Sequence, residues 1–472
     1  MSNDALAEQL ESIVGGRFVL RRESDLLVYN SDGLPGYRRM PRLAVFPGTR
    51  EETIAVVRAL AAHGAPFVPR GAGTGLSGGA LADNIVLLGL HRLKRVISID
   101  EENLRAVVEP GVVNLRLNKT VAPLGLLYAP DPSSEAACTI GGNIAENAGG
   151  PHCLKYGVTL NHVIAITAIL PSGELVNLGN PSGESPGYDL RGAFIGSEGC
   201  FGVALDVTVR LTRKPAAIRT MLADFTSVDD AARVTSAIVA SGIVPAALEF
   251  MDGPTIRVVE SSVYAAGYPA DAAAVLLIEV DGIPEGVDAD RDTIRDICMS
   301  GGARTVKVAA NDAERMRLWQ GRKKAFGAMG RMAPHLVVQD AVIPRTQLAA
   351  VLQKIRTIGD NYKLTVCNVF HAGDGNLHPN IPYNADDTDE ADRVHHAMSE
   401  IMHACVEAGG SITGEHGVGL DKLNYIELIF SQESLGAMCR LREVFDPDKR
   451  ANPGKVVPIH ACQEWRAVAS AR

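Results

Sequence analysis

The chain has 472 residues, 46% apolar and 21% charged, which is ordinary globular composition and enough for two or three domains. A formal net charge of -9 argues against a nucleic-acid binder, which would carry a basic face, but leaves room for an anionic substrate held by a few local cations. The N-terminus, MSNDALAEQLESIVGG, lacks the basic start and apolar stretch of a signal peptide, and no apolar run reaches the ~18 residues of a membrane helix, so a cytoplasmic protein without a membrane span is expected.

Three glycine-rich segments organise the N-terminal half. In APFVPRGAGTGLSGGALADNIVLLGL, Ala65 to Leu90, the alternating apolar residues before Arg70 and the run after Asn84 predict strands. The loop between them holds Gly71, Gly73, Gly75, Gly78 and Gly79. Such a loop lets backbone approach a ligand and turn several N–H groups toward one anion. Gly73 to Gly78 matches GxGxxG, but no helix has room to follow, so the pattern predicts strand–loop–strand with a phosphate-cradling loop and not a dinucleotide-binding βαβ unit. The second segment, APDPSSEAACTIGGNIAENAGGPHCLKYG, alternates small residues with Asn143, Glu146 and Asn147. It suits a backbone wall against a flat ligand. The third, GSEGCFGV from Gly196 to Val203, runs into the strand pattern VALDVTVRL. Together the three suggest a large, extended ligand lying along backbone. The eight cysteines include no CxxC pair, and Cys138 and Cys153 fit no common metal spacing. Reduced thiols are expected, with neither a disulfide framework nor a four-cysteine cluster.

From about Ala217 the pattern changes. AIRTMLADF, ALEFMD and AAVLLIEVDG predict strands, while SVDDAARVTSAIVASG, DADRDTIRDICMSGG and NDAERMRLWQGRKKAFGAMGRM predict helices. This alternation suggests an antiparallel α+β domain of ferredoxin type. In LTVCNVFHAGDGNLHPNI, Asp374-Gly375 is a preferred two-residue hairpin turn, which would place His371 directly opposite His378. Two imidazoles with Cβ atoms roughly 5 Å apart can grip one metal ion. SITGEHGVGLDK adds Glu415 and His416 at the end of another expected strand. A His, His, Glu set suits a divalent ion that must also bind substrate. Neighbours on a regular strand face opposite ways, so Glu415 and His416 both reach one site only if Gly414 and Gly417 permit a distortion.

PRGAGTGLSGG, DPSSEAACTIGGNIAENAGG and GSEGCFGV, with HAGDGNLH and GEHG, resemble the vanillyl-alcohol-oxidase-type FAD flavoproteins. Within these the match narrows to the FAD-linked D-2-hydroxyacid dehydrogenase branch, that of glycolate oxidase FAD subunits and D-lactate dehydrogenases. The resemblance runs from about Tyr29 to Lys455. It implies a two-part FAD-binding domain at 1–214, a substrate domain carrying the metal site at 215–424, and a C-terminal segment, 425–472, that returns to the FAD domain with Asn452 near the flavin. The implied FAD contacts are Pro69, Arg70, Gly71, Ala72, Gly73, Thr74, Gly75, Leu76, Ser77 and Gly78 from the first loop. Pro130, Asp131, Ser134, Cys138, Gly141, Gly142, Asn143, Ala145, Asn147, Ala148 and Gly149 follow from the second segment, and Glu198, Gly199, Gly202 and Val203 from the third. Some relatives attach FAD through a histidine in or near the first loop; this loop has none, so noncovalent FAD is expected.

The same resemblance makes His371, His378 and Glu415 the ligands of a divalent metal, zinc before manganese or iron. It makes His416 the catalytic base and Arg322 and Asn380 substrate contacts. The implied reaction is oxidation of a D-2-hydroxyacid, with the hydroxyl proton going to His416 and hydride to flavin N5. Members acting on 2-hydroxyglutarate hold a second carboxylate with a Thr and a Lys, where this chain aligns Phe326 and Val338; a small monocarboxylate such as glycolate or D-lactate is therefore expected. Electrons would pass to an external acceptor, an iron–sulfur subunit being the implied partner, one that would bring the chain to the inner membrane face; a homo-oligomer is expected. D-2-hydroxyglutarate oxidation and a self-sufficient oxygen-using oxidase remain alternatives. A flavin-free metal hydrolase, distinguished by a colourless protein, and a noncatalytic flavoprotein scaffold, which would be expected to lose His371, His378 or His416, are the rival classes.

Overall fold

The computed structural model describes residues 3–34, 36–183 and 186–457. The chain divides into two compact units, one made of Met1–Gly149, Val158–Lys214 and Glu415–Arg472, the other of Gly150–Gly157 and Pro215–Gly414.

The first unit holds two main sheets. The smaller runs in the order Val19–Leu20, Leu43–Val45, Val86–Gly89, Phe67–Arg70, and its last three strands are parallel. Strands of a parallel sheet are buried on both faces and read as continuous apolar runs, as Val86–Gly89 does. The helix Arg50–Ala62 supplies the crossover; its cap Thr49 accepts the Glu52 N–H at 3.1 Å. Phe67–Arg70 is an edge strand, and the returning C-terminal segment covers it. Phe67 N–H donates to Arg450 O, and Asn452 N–H donates to Phe67 O, each at 2.8 Å. The second sheet is antiparallel, in the order Val96–Asp100, Arg105–Val108, Val203–Arg210, Val163–Ile169, Leu175–Gly179. Its core packs Val108, Ile166 and Val207 against Tyr128, Ile140 and Phe194. The strands on either side of the first glycine loop and the one after the third segment form where the sequence places them. The second glycine segment contains the helix Ile140–Glu146, whose cap Thr139 accepts the Gly142 N–H at 3.2 Å.

The second unit is built on a nine-stranded antiparallel sheet. Its main order is Ala303–Val308, Ala217–Phe225, Ala274–Gly282, Ala247–Asp252, Cys367–His371, Asn376–Leu377, Ala341–Val342, with Pro379–Tyr383 and His335–Val338 branching from Cys367–His371. Helices Val228–Ala240, capped by Ser227, and Pro284–Ser300 pack on the strand Ala217–Phe225. The helix expected from Asn311 to Met332 breaks at Lys324 into Asp312–Lys323 and Ala325–Met329. The chain is thus an α+β fold of mixed helix and mainly antiparallel sheet, as expected.

Among the described residues no helix is long and apolar enough to cross a membrane. Cys138, Cys153, Cys200, Cys298, Cys367 and Cys405 are free thiols, whereas Cys439 is disulfide-bonded. That bond is an exception to the expectation of reduced thiols.

Candidate active site

In the first unit one cavity draws on all three glycine segments. Gly71 from the first, Gly141, Gly142 and Ala145 from the second, and Gly199 and Gly202 from the third all line it, with Pro69, Arg70 and Val203. The remaining implied cofactor contacts, among them Ala72 to Gly78, Pro130, Asp131, Ser134, Cys138, Asn143 and Asn147 to Gly149, do not line it. Two glycines are required by space. A Cβ on Gly71 would lie 2.4 Å from Thr139 Oγ1, and one on Gly141 would lie 2.7 Å from Pro110 Cβ. Arg70 is buried and acts inward: its guanidinium donates to the carbonyls of Ser31 at 2.8 Å and of Tyr29 and Ala80 at 3.4 Å, stapling the loop.

Beside this cavity lies a charged cluster that the sequence did not reveal as one. Glu198, at φ +50, accepts the N–H groups of Val418 and Gly419, each at 2.7 Å. Lys455 Nζ donates to Gly79 O at 2.9 Å, Leu81 O at 2.5 Å and Asn452 Oδ1 at 2.6 Å, and Asn452 Nδ2 donates to Gly79 O and Glu198 O. Burial pushes the Lys455 ammonium down to about 8. Burial, and then the Glu198 charge, push Glu146 well above the usual carboxylate range. The side-chain atoms Ser77 Oγ, Asn143 Nδ2 and Glu146 Oε2 are buried without a hydrogen-bond partner. Buried polar atoms are nearly always satisfied. Orphaned donors and acceptors next to a backbone cradle of glycines therefore fit a polar, flat group such as FAD, which the first unit would hold with these three segments.

In the second unit the hairpin differs from its expected register. The turn takes four residues, Ala372 to Gly375, and His371 pairs with Asn376, not with His378. Neighbouring strands claim the turn's backbone: Gly373 N–H donates to Leu248 O and Ile343 N–H to Gly375 O, each at 3.0 Å. Gly375, at φ +77, leaves a Cβ only 2.2 Å from Ile343 O. The two imidazoles still meet, with ring centroids 5.3 Å apart at 88° and with ligand atoms within 4.8 Å of one another. Each ring turns Nδ1 to a partner. His371 Nδ1 lies 2.7 Å from Glu249 Oε1, and His378 Nδ1 lies 3.3 Å from Gln339 O and 3.9 Å from Asp340 Oδ1. With Nδ1 so directed, Nε2 would be the ligating atom of each ring, and the Nδ1 partners are of the kind that metal-bound histidines commonly have. Two buried imidazoles so oriented fit a divalent metal.

Arg322, the expected carboxylate contact beside Lys323 and Lys324, is 1% exposed. Its Nη2 pairs with Glu249 Oε2 at 2.5 Å and lies 3.5 Å from His371 Nδ1. Burial alone would raise the Glu249 carboxyl, but Arg322 and His371 together hold it below the usual range. Asn380, fully buried, donates Nδ2 to His378 O at 2.6 Å and Cys367 O at 3.2 Å, while its Oδ1 has no hydrogen-bond partner. Val338 opposes Asn380 on the neighbouring strand, and Phe326 packs on the apolar cluster. Sequence reading missed Glu249 and Asp340. The signal for the first is a lone acid inside the apolar strand ALEFM.

The expected strand at SITGEHGVG does not form: Ser411 makes a single bridge to Val342, and residues 412–419 are irregular. Asp340 fastens the end of the second unit, accepting Thr413 Oγ1 at 2.5 Å and the Gly414 N–H at 2.9 Å. Glu415 and His416 follow directly in the chain and belong to the first unit. His416 Nε2 lies 3.9 Å from Glu415 Oε1, so the two-faced alternation of a strand does not apply to them. Gly417 sits at φ +83, and a Cβ there would lie 2.4 Å from Glu146 Oε2.

Comparison with known proteins agrees with this architecture. Residues 214–456 match the family described as FAD linked oxidases, C-terminal domain, and residues 41–179 match the FAD binding domain. The chain is 44% identical to the glycolate oxidase subunit GlcD of Escherichia coli (strain K12), over 97% of this chain and 92% of that one. It is 41% identical to the Bacillus subtilis (strain 168) GlcD subunit, over 95% and 96%. It is 32% identical to the mitochondrial D-lactate dehydrogenase [cytochrome] of Arabidopsis thaliana, over 90% and 74%. Among solved structures, p-cresol methylhydroxylase with substrate bound superposes with a TM-score of 0.82 at 15% identity, over 97% of each chain. This last likeness is one of fold. With both family models matched and full-length relatives above 40% identity, the chain belongs to the FAD-linked oxidases and is an FAD-dependent oxidoreductase.

Proposed function

We propose that this protein oxidises a small D-2-hydroxyacid, glycolate or D-lactate, to the 2-oxoacid, using noncovalent FAD and a divalent metal, zinc first. The relatives named glycolate oxidase subunit and D-lactate dehydrogenase support the substrate class. The observation that carries the reading is the buried Arg322 cation 3.5 Å from the imidazole of His371, itself paired with His378. A buried guanidinium fork beside a metal-type histidine pair suits a carboxylate whose neighbouring oxygen reaches the metal.

In this reading Arg322 receives the carboxylate and Asn380 donates or accepts one bond to substrate. His371 and His378 hold the metal through Nε2, and the GEHG motif adds Glu415 as third ligand. His416 takes the hydroxyl proton on a ring nitrogen. When bound, FAD supplies the hydride acceptor and the metal a Lewis acid that lowers the hydroxyl pKa. Residues 1–214 and 425–472 are assigned to FAD, and 215–424 to substrate and metal. Val338 beside Asn380, and Phe326 among apolar neighbours, offer no cation to a second carboxylate. A dicarboxylate would bury an uncompensated charge at a cost of several kcal/mol. Electrons leave to an external acceptor, for which an iron–sulfur partner is proposed.

The test is a panel of D- and L-2-hydroxyacids assayed with an artificial dye on the purified yellow protein. Glycolate or D-lactate should exceed D-2-hydroxyglutarate in kcat/KM, and chelation should stop turnover while FAD stays bound. The reverse substrate order, or full activity in a metal-free sample, sinks the reading. Flavin reoxidation by oxygen as fast as by dye would make the protein a self-sufficient oxidase.

A further inference from the structure

Glu249 stands directly opposite His371 in the antiparallel register of the strands Ala247–Asp252 and Cys367–His371. Opposed residues share one face of a sheet. The carboxylate is completely buried and spends its two oxygens on two different groups: Oε1 on His371 Nδ1 at 2.7 Å, Oε2 on Arg322 Nη2 at 2.5 Å. An acid inside an apolar strand is costly unless paired. Here both partners are groups to which the reaction assigns work.

We propose that Glu249 is a positioning residue that sets His371 as a metal ligand and Arg322 as a carboxylate receptor at once. The proposal rests on the metal-dependent reading above. Accepting the Nδ1–H of His371 fixes the tautomer with Nε2 as ligating atom, and a carboxylate there raises the basicity of the ring. The ion pair with Nη2 of Arg322 holds one edge of a planar fork and so fixes the direction of its other N–H groups. Arg322 Nε is buried without a hydrogen-bond partner, as expected of a fork with a donor kept for an incoming anion.

The experiment uses the FAD-loaded full chain as wild type, Glu249→Gln and Glu249→Leu. Zinc affinity is measured by competition with a chromogenic chelator, without turnover. Affinity should fall roughly 10–100-fold in Glu249→Leu, the range for losing such an outer partner, and by an intermediate factor in Glu249→Gln, which keeps an acceptor but not the charge. FAD content should stay constant. At saturating zinc the KM for glycolate should remain raised roughly tenfold in Glu249→Gln, as for the loss of one charge-assisted hydrogen bond, because added metal refills its site but does not re-anchor Arg322. If Glu249→Leu fails to retain FAD, Glu249→Gln decides alone. Wild-type zinc affinity in that variant overturns the role toward His371, and a wild-type KM overturns the role toward Arg322. A wild-type protein that binds no zinc overturns the metal-dependent reading itself, and this proposal with it.

Discussion

Arg315 grips Glu279 with two parallel hydrogen bonds, Nε to Oε2 and Nη2 to Oε1, each 2.8 Å long. Thr220 Oγ1 and Trp319 Nε1 donate to the same carboxylate at 2.6 and 2.8 Å, and His152, stacked on Trp319, approaches it at 3.4 Å. Burial alone would raise this carboxyl, but His152 and Arg315 outweigh it and hold Glu279 well below the usual range. Its contribution to stability is therefore complete above the unfolded value of ~4.3 and is lost as pH falls below it. Glu279→Gln should lower stability by roughly 3 kcal/mol, the low end for breaking a buried ion pair, because Arg315 reaches solvent. The melting temperature of the variant should fall less steeply than that of wild type between pH 5 and 3. Parallel acid limbs would refute this.

Lys455 gives the opposite limb. Its ammonium, pushed down to about 8 by burial, is lost in the folded protein while the unfolded chain still holds its proton up to ~10.4. The unfolded state binds more protons across that window, so stability rises with pH from about 8. The shift corresponds to no more than ~3 kcal/mol. The urea midpoint of the FAD-bound protein should increase from pH 7.5 to 9.5, and Lys455→Met should remove that increase. An equal slope in the variant would place the titration elsewhere.

Gly417 tests the loop that carries Glu415 and His416. Its φ of +83 and the 2.4 Å approach of a Cβ to Glu146 Oε2 leave no place for a methyl group. Gly417→Ala should cost about 1–2 kcal/mol for the left-handed backbone, and more if the Glu146 carboxylate and that of Glu198, whose Oε1 would lie 2.7 Å from the new Cβ, must move. Turnover should fall at least roughly tenfold with FAD retained. A variant with wild-type turnover and melting temperature would show that the loop yields freely.

For the proposed base, His416→Ala should lower kcat by roughly 10²–10⁴ while metal and FAD stay near one equivalent. Zinc content by elemental analysis and flavin absorbance check the second half. An active variant would move the base to another residue.

The strands of the second unit were legible because runs such as AIRTMLADF and ALEFMD are apolar, of strand length and bounded by turn residues, and they form at Ala217–Phe225 and Ala247–Asp252. The hairpin register was not. Its two-residue turn assumed that only the two arms compete for the backbone, whereas Leu248, on a neighbouring strand, takes a hydrogen bond from the turn and Ile343, just past the strand Ala341–Val342, gives one to it. The burial of Arg322 was invisible for a related reason. Its neighbours Lys323 and Lys324 suggest solvent, and only the acid on a strand far away in sequence makes burial affordable. The histidine pair survived the register error because Gly375, at φ +77, lets the turn lengthen while the rings stay in reach.

The edge strand Phe67–Arg70 is sealed by backbone bonds to Arg450 and Asn452. During synthesis that partner emerges about 380 residues later, which at roughly 5–20 residues per second means on the order of 20–80 s. Through that interval the nascent chain carries an uncovered parallel edge of the kind that invites pairing with other chains. Slow translation or a truncated C-terminus should therefore show itself first as aggregation seeded at Phe67, before any loss of catalytic groups is felt.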